Sequence, residues 1–147
     1  MKFKFIVATL ALLPALALAQ DSPVLLGTWK GIGNAAVAGS DVFHPTEADK
    51  EKSVRFTKME FILVVDREEG RNFIGNISVK NSKAPANDDN KKMIIGSYAK
   101  DMKSGVYVSE EGGSVAFKLA GPKNLELCYV QYSPKPMVAD CFEMVKQ

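Results

Sequence analysis

From about residue 24 onward, apolar residues fall in short runs at every second position. Clusters of Gly, Asn, Asp and Lys interrupt each run before it reaches helical length. Period-two alternation belongs to strands with one buried face, and nothing after Gln20 sustains a helical period over ten residues. The runs are Val24 to Gly31, Ser53 to Asp66, Arg71 to Val79, Met93 to Ala99, Gly105 to Ser109, Ser114 to Ala120, Leu125 to Tyr132 and Val138 to Val145. Between them lie turn sequences: Arg67-Glu68-Glu69-Gly70, Lys100 to Ser104, Glu110 to Gly113 and Gly121-Pro122-Lys123-Asn124. Two longer connections are expected. Ile32 to Glu51 is rich in Gly and Ala, with room for one short helical turn, and Lys80 to Lys92 is the most polar stretch of the chain.

Eight strands with connections this short pair most economically as antiparallel neighbours. The expected class is therefore all-β, an eight-stranded antiparallel up-and-down barrel that removes exposed edges by closure. A two-sheet sandwich is the other arrangement these strands allow. In the second strand Met59, Phe61, Leu63 and Val65 share one face, while Phe56, Ile62 and Val64 suggest some cover on the other.

Met1 to Ala19 has a different character. Two lysines, an apolar run and Ala17-Leu18-Ala19 make the basic, hydrophobic and small-x-small parts of a secretory signal peptide. A retained anchor is the competing reading, but the run is short for a bilayer core and Pro14 interrupts it. Cleavage after Ala19 leaves residues 20–147 as a single domain, secreted or periplasmic, with no stable membrane insertion expected. Lys and Arg number 19 against 17 Asp and Glu, and without Lys2 and Lys4 the two counts are equal. A neutral domain lacks the basic footprint of a nucleic-acid binder, so no nucleic-acid partner is expected.

The two cysteines test the strand register. If Pro134-Lys135 forms the tip of the last hairpin, Tyr132 pairs with Met137, Val130 with Ala139, and Cys128 with Cys141. The thiols then face each other across neighbouring strands and can form a disulfide in an oxidising compartment. The same register sets Glu126 against Glu143, an unfavourable like-charge pair that a longer loop at Ser133 to Met137 would relieve. It also sends Leu125, Leu127, Tyr129, Phe142 and Met144 inward, with Asp140 opposite Tyr129. An inward carboxylate needs a partner, such as the Tyr129 hydroxyl or a lysine. Asp140 then reads either as a polar anchor for a ligand or, more simply, as a solvated rim residue.

Gly27-Thr28-Trp29 stands on the opening strand of this series. The tripeptide in that place resembles the calycins (lipocalins, fatty-acid-binding proteins and avidins) and the barrel-shaped bacterial inhibitors of secreted metalloproteases. The resemblance implies that Trp29 plugs the closed end of the barrel. Lipocalins set a basic residue near the end of the last strand against that ring, and Lys146 is the residue available here. The C-terminal helix of lipocalins, the paired helices of fatty-acid-binding proteins and the tryptophan-rich strands of avidins have no counterpart.

Other chemistry is sparse. His44 stands near Asp41, Glu47 and Asp49 without the spacing of a closed metal site, so no metal or cofactor is expected. Gly31-Ile32-Gly33-Asn34 opens no helix and is not a phosphate loop, and no nucleophile elbow occurs. Asn76-Ile77-Ser78 fits a glycosylation sequon inside a strand. The expected function is binding of a small, largely apolar ligand without catalysis. Its lining would include Trp29, Met59, Phe61, Phe73, Tyr98, Phe117, Leu127, Tyr129, Asp140 and Phe142. The alternative is a protein partner, as for a barrel-type inhibitor of a secreted protease.

Overall fold

A computed structural model describes residues 25–40, 53–81, 91–132 and 136–147. Eight strands follow in order: β1 (Gly27–Ala38), β2 (Val54–Glu69), β3 (Asn72–Asn81), β4 (Lys91–Tyr98), β5 (Ser104–Ser109), β6 (Ser114–Leu119), β7 (Asn124–Gln131) and β8 (Met137–Lys146). Each pairs antiparallel with its neighbours in sequence, and β1 pairs with β8 to close the barrel. Closure excludes the sandwich. The signal segment, His44 with its acidic neighbours and the Pro134-Lys135 tip lie outside the described residues.

Alternation sorts the side chains as the pattern requires. Met59, Phe61, Leu63 and Val65 are buried, as are Val115, Phe117 and Leu119 on β6, while the intervening positions face out. The opposite face of β2 is covered less than its sequence suggests. Phe56 is 75% exposed, while Ile62 and Val64 are half-buried, since among the described residues no second layer packs outside the barrel.

Three expectations about the connections change. The Gly/Ala-rich segment after Gly31 is not loop as far as Ala38: it runs on as β1, paired along its length with β2 from Gly27↔Val65 to Ala38↔Val54. Its inward positions include Gly31, Gly33 and Ala35, which carry little hydrophobic signal, and it is held by ladders on both sides. Arg67, Glu68 and Glu69 belong to β2, and the turn is confined to Gly70 and Arg71, with Gly70 at φ 59°. A bulge between Val65 and Arg67 shifts the register, so Glu68 comes opposite the buried Phe73 and shares its inner face. Finally, Lys80, Lys91 and Lys92 are strand residues.

The last hairpin keeps the expected register. Cys128 pairs with Cys141, Tyr129 with Asp140, and Glu126 does sit opposite Glu143. A disulfide joins Cys128 to Cys141 on the outer face. The two glutamates are exposed, and in water their repulsion is weak enough for one covalent link and a ladder to override.

Candidate functional site: a plugged base and an open-ended cavity

The barrel interior divides into two halves. One end is where β1 begins and β8 finishes. There Trp29 is fully buried, and its indole Nε1 donates to the Leu25 carbonyl at 2.7 Å. Lys146 pairs with Trp29 across the β1–β8 seam, and its Nζ lies 5.3 Å from the ring centroid, a cation–π distance. A lysine, and not the usual arginine, therefore lies against the ring at this end.

Leu25 crosses this end and is tied down. Its amide donates to Glu68 Oε1 at 2.7 Å and to the Tyr98 hydroxyl at 2.9 Å, and that hydroxyl donates to Glu68 at 2.6 Å. Burial, and then the bond to Glu68, push the Tyr98 phenol well above its ordinary range, so it acts as a fixed neutral donor. Tyr98→Phe should remove about 1–2 kcal/mol, since the Glu68 carboxylate loses one donor while the Leu25 amide keeps the other acceptor. Urea denaturation of the two proteins measures it, and an unchanged midpoint would refute the clasp.

Above the clasp, aromatic rings fill the barrel. Phe73 lies 5.5 Å from Tyr98 and 5.6 Å from Phe117, and Tyr98 lies 5.6 Å from Phe117, all tilted or edge to face. Two of these rings lie over glycines of a neighbouring strand: Phe73 covers Gly96 and Phe117 covers Gly105. This half is solid.

Toward the other end the interior opens into a cavity of about 40 Å³. Met59, Phe61, Ile77, Val79, Tyr107, Val115, Tyr129 and Phe142 make most of its wall, and Lys92, Ser109, Glu111 and Gln131 add polar groups. Phe61 and Phe142 stack at 4.2 Å and form one side. Lys92 Nζ is 3.0 Å from Glu111 Oε1, and the Tyr129 hydroxyl donates to Gln131. The volume holds roughly three water molecules. Many ligand pockets are ten times larger.

Of the residues expected to line a site, Met59, Phe61, Tyr129 and Phe142 meet at this cavity. Trp29, Phe73, Tyr98, Phe117 and Leu127 are buried but do not line it, and the aromatic ones among them fill the base. Sequence reasoning missed Ile77, Val79, Tyr107 and Val115, although their inward alternation was readable. It had no means of finding Lys92 or Glu111, which read as parts of polar connections.

Asp140 differs from the rim residue that its sequence context favours. It is only 7% exposed and is the buried charged side chain among the described residues. Oδ1 accepts from the Asn34 amide at 3.3 Å, while Oδ2 is buried without a hydrogen-bond partner. Neither a lysine nor the Tyr129 hydroxyl supplies the missing bond, since that hydroxyl donates to Gln131. Desolvation raises the carboxyl pKa, and the Asn34 and Cys141 amides partly oppose the rise. Space for the carboxylate comes from Gly33, where any β-carbon would overlap Oδ2.

No known protein family matches the chain, and no curated protein does. Among solved structures, the S-type phycobiliprotein lyase CPES from Guillardia theta is similar at 10% identity over 84% of this chain and 88% of that one, with a TM-score of 0.28. A likeness at that level carries nothing about ligand or activity, and the barrel assignment rests on the strand pairing itself.

Proposed function

We propose that this is a secreted or periplasmic barrel that binds a small, largely apolar ligand in its open half, by recognition and not by catalysis. The observation that carries the reading is the contrast between the two halves. The base is filled by Trp29 and interlocked rings, yet the same barrel leaves a space among Met59, Phe61, Tyr107 and Phe142. A core built only for stability fills its interior to crystal-like density. Polar groups at Lys92, Glu111 and Gln131 suit a ligand with one polar end. The disulfide and the signal-like leader both fit an oxidising compartment.

A second reading, a module for a protein partner, is favoured by the outer face of β3, β4 and β5. There Ile74 pairs with Ile95 and Ile95 with Val108, and all three are exposed. Such a row of apolar side chains is a feature of interaction surfaces.

One experiment separates the readings. Native mass spectrometry of protein purified without denaturation is expected to show a bound small molecule, lost when Met59→Trp fills the space with a larger side chain. A ligand-free barrel that instead retains a second polypeptide would favour the partner reading. Retention of the small molecule by Met59→Trp would move the binding site elsewhere.

A further inference from the structure

The sequon Asn76-Ile77-Ser78 has no part in the interior. Alternation along β3 sends Phe73 into the core and Ile77 and Val79 to the cavity wall, so Asn76 and Ser78 stand together on the outer face. Both keep part of their surface in solvent. Asn76 pairs with Val64 on β2 and with Met93 on β4. Its Nδ2 donates to Asp66 Oδ2 at 2.9 Å, and Asp66 is the exposed residue that the ladder skips at the β2 bulge. That bond uses one N–H of the carboxamide. A carboxamide has two, and attachment of a glycan replaces one of them.

On its β4 side Asn76 borders an apolar surface. Met93 and Ile95 are both more than half exposed, and Ile74, Val106 and Val108 continue the surface across β3 and β5. A shallow depression of about 450 Å³ lies among Ile74, Ile95, Gly96, Val106 and Val108. Gly96 is three residues beyond Met93, roughly 10 Å along the strand. A contiguous apolar surface of this kind marks a place where something else sits. A sugar ring suits it, because its C–H face can lie on aliphatic side chains while its hydroxyls stay in water.

We propose that Asn76 is the acceptor of an N-linked glycan, whose first sugars cover Met93 and Ile95 and extend toward the depression. In the transfer, Nδ2 attacks C1 of the first sugar of a lipid-linked oligosaccharide pyrophosphate. The Nδ2–C1 bond forms, the C1–O bond to the pyrophosphate breaks, and Nδ2 gives up one proton. The transferase reads the Ser78 hydroxyl two residues on. Transfer acts on the extended chain before the sheet closes, so a strand position does not hinder it. The finished barrel need only keep the amide outside, and the remaining N–H can hold the bond to Asp66. The proposal rests on export, and it narrows the compartment to a secretory route that carries this donor. It also gives the outer face of β3 to β5 a cover borne by the chain itself, in place of a protein partner.

The test expresses the full chain with its own leader in a eukaryotic secretion host. Wild type and Ser78→Thr are expected in the medium as glycoforms that peptide N-glycosidase reduces to the bare polypeptide, with Asn76 converted to an aspartate. Ser78→Ala, which leaves Asn76 and its bond to Asp66 in place, should lose the glycan completely. For the cover, methyl spectra of the glycosylated wild type and of Ser78→Ala are expected to differ at Met93 and Ile95. They should agree at Ile32 and Val145, which are exposed on β1 and β8. Secreted wild type without a glycan would overturn the acceptor assignment and leave export standing. A chain that stays in the cell with Asn76 unmodified would overturn both. A glycan that leaves Met93 and Ile95 unmoved would support the acceptor and overturn the cover.

Discussion

Trp29→Ala is expected to destabilise the protein by about 3–5 kcal/mol, the range for removing a large buried aromatic side chain. Trp29 is fully buried at the narrow end, so the vacated volume is closed to solvent and the surrounding strands, tied in a ring, have little freedom to collapse into it. The substitution also removes the Nε1 bond to Leu25 and the surface over which Lys146 lies. For a domain of this size the loss lowers Tm by roughly 10–20 °C. Trp29→Phe should retain most of the packing and lose the indole bond, costing less than half as much. A calorimetric comparison of the three proteins decides it. A drop of under 1 kcal/mol for the alanine variant would mean that the ring is not the plug.

Removing the disulfide is the second large effect. Cys128 and Cys141 are 13 residues apart, and a closed loop of about that size restricts the unfolded chain by about 3 kcal/mol. The double variant Cys128→Ala/Cys141→Ala should lose about that much in urea denaturation. Part of the loss reflects Glu126 and Glu143, which remain opposite each other with no covalent link beside them. The variant should still fold, since the inward residues of β7 and β8 are untouched. Its pattern of amide protection should weaken first in that hairpin. Unchanged stability would show that the ladder alone fixes this register.

The disulfide was legible before any coordinates from local alternation and turn position, and the plug was implied by the resemblance that Gly27-Thr28-Trp29 carries. Counting outward from Pro134-Lys135 sets Cys128 against Cys141 and sends Tyr129, Asp140 and Phe142 inward. Elsewhere local reading failed for identifiable reasons. β1 continues to Ala38 through glycine and alanine, whose small side chains give no hydrophobic rhythm but whose backbone finds partners on two sides. Glu68 turns inward only because of a bulge, and a one-residue insertion in register leaves no mark in composition.

The amino-acid sequence by itself determined the all-β class, the number and antiparallel direction of the strands, the Cys128–Cys141 pairing and which side of β2 and of the last hairpin faces in. Those properties depend on residues a few positions apart along the chain. Which half of the interior is packed and which is hollow, the placing of Lys146 over Trp29, and the isolation of Asp140 in the β1–β8 seam were decided by the tertiary structure. Each depends on side chains from strands far apart in the sequence, more than a hundred residues for Trp29 and Lys146, meeting at one level of a closed ring, and the space left there is set by all of them together.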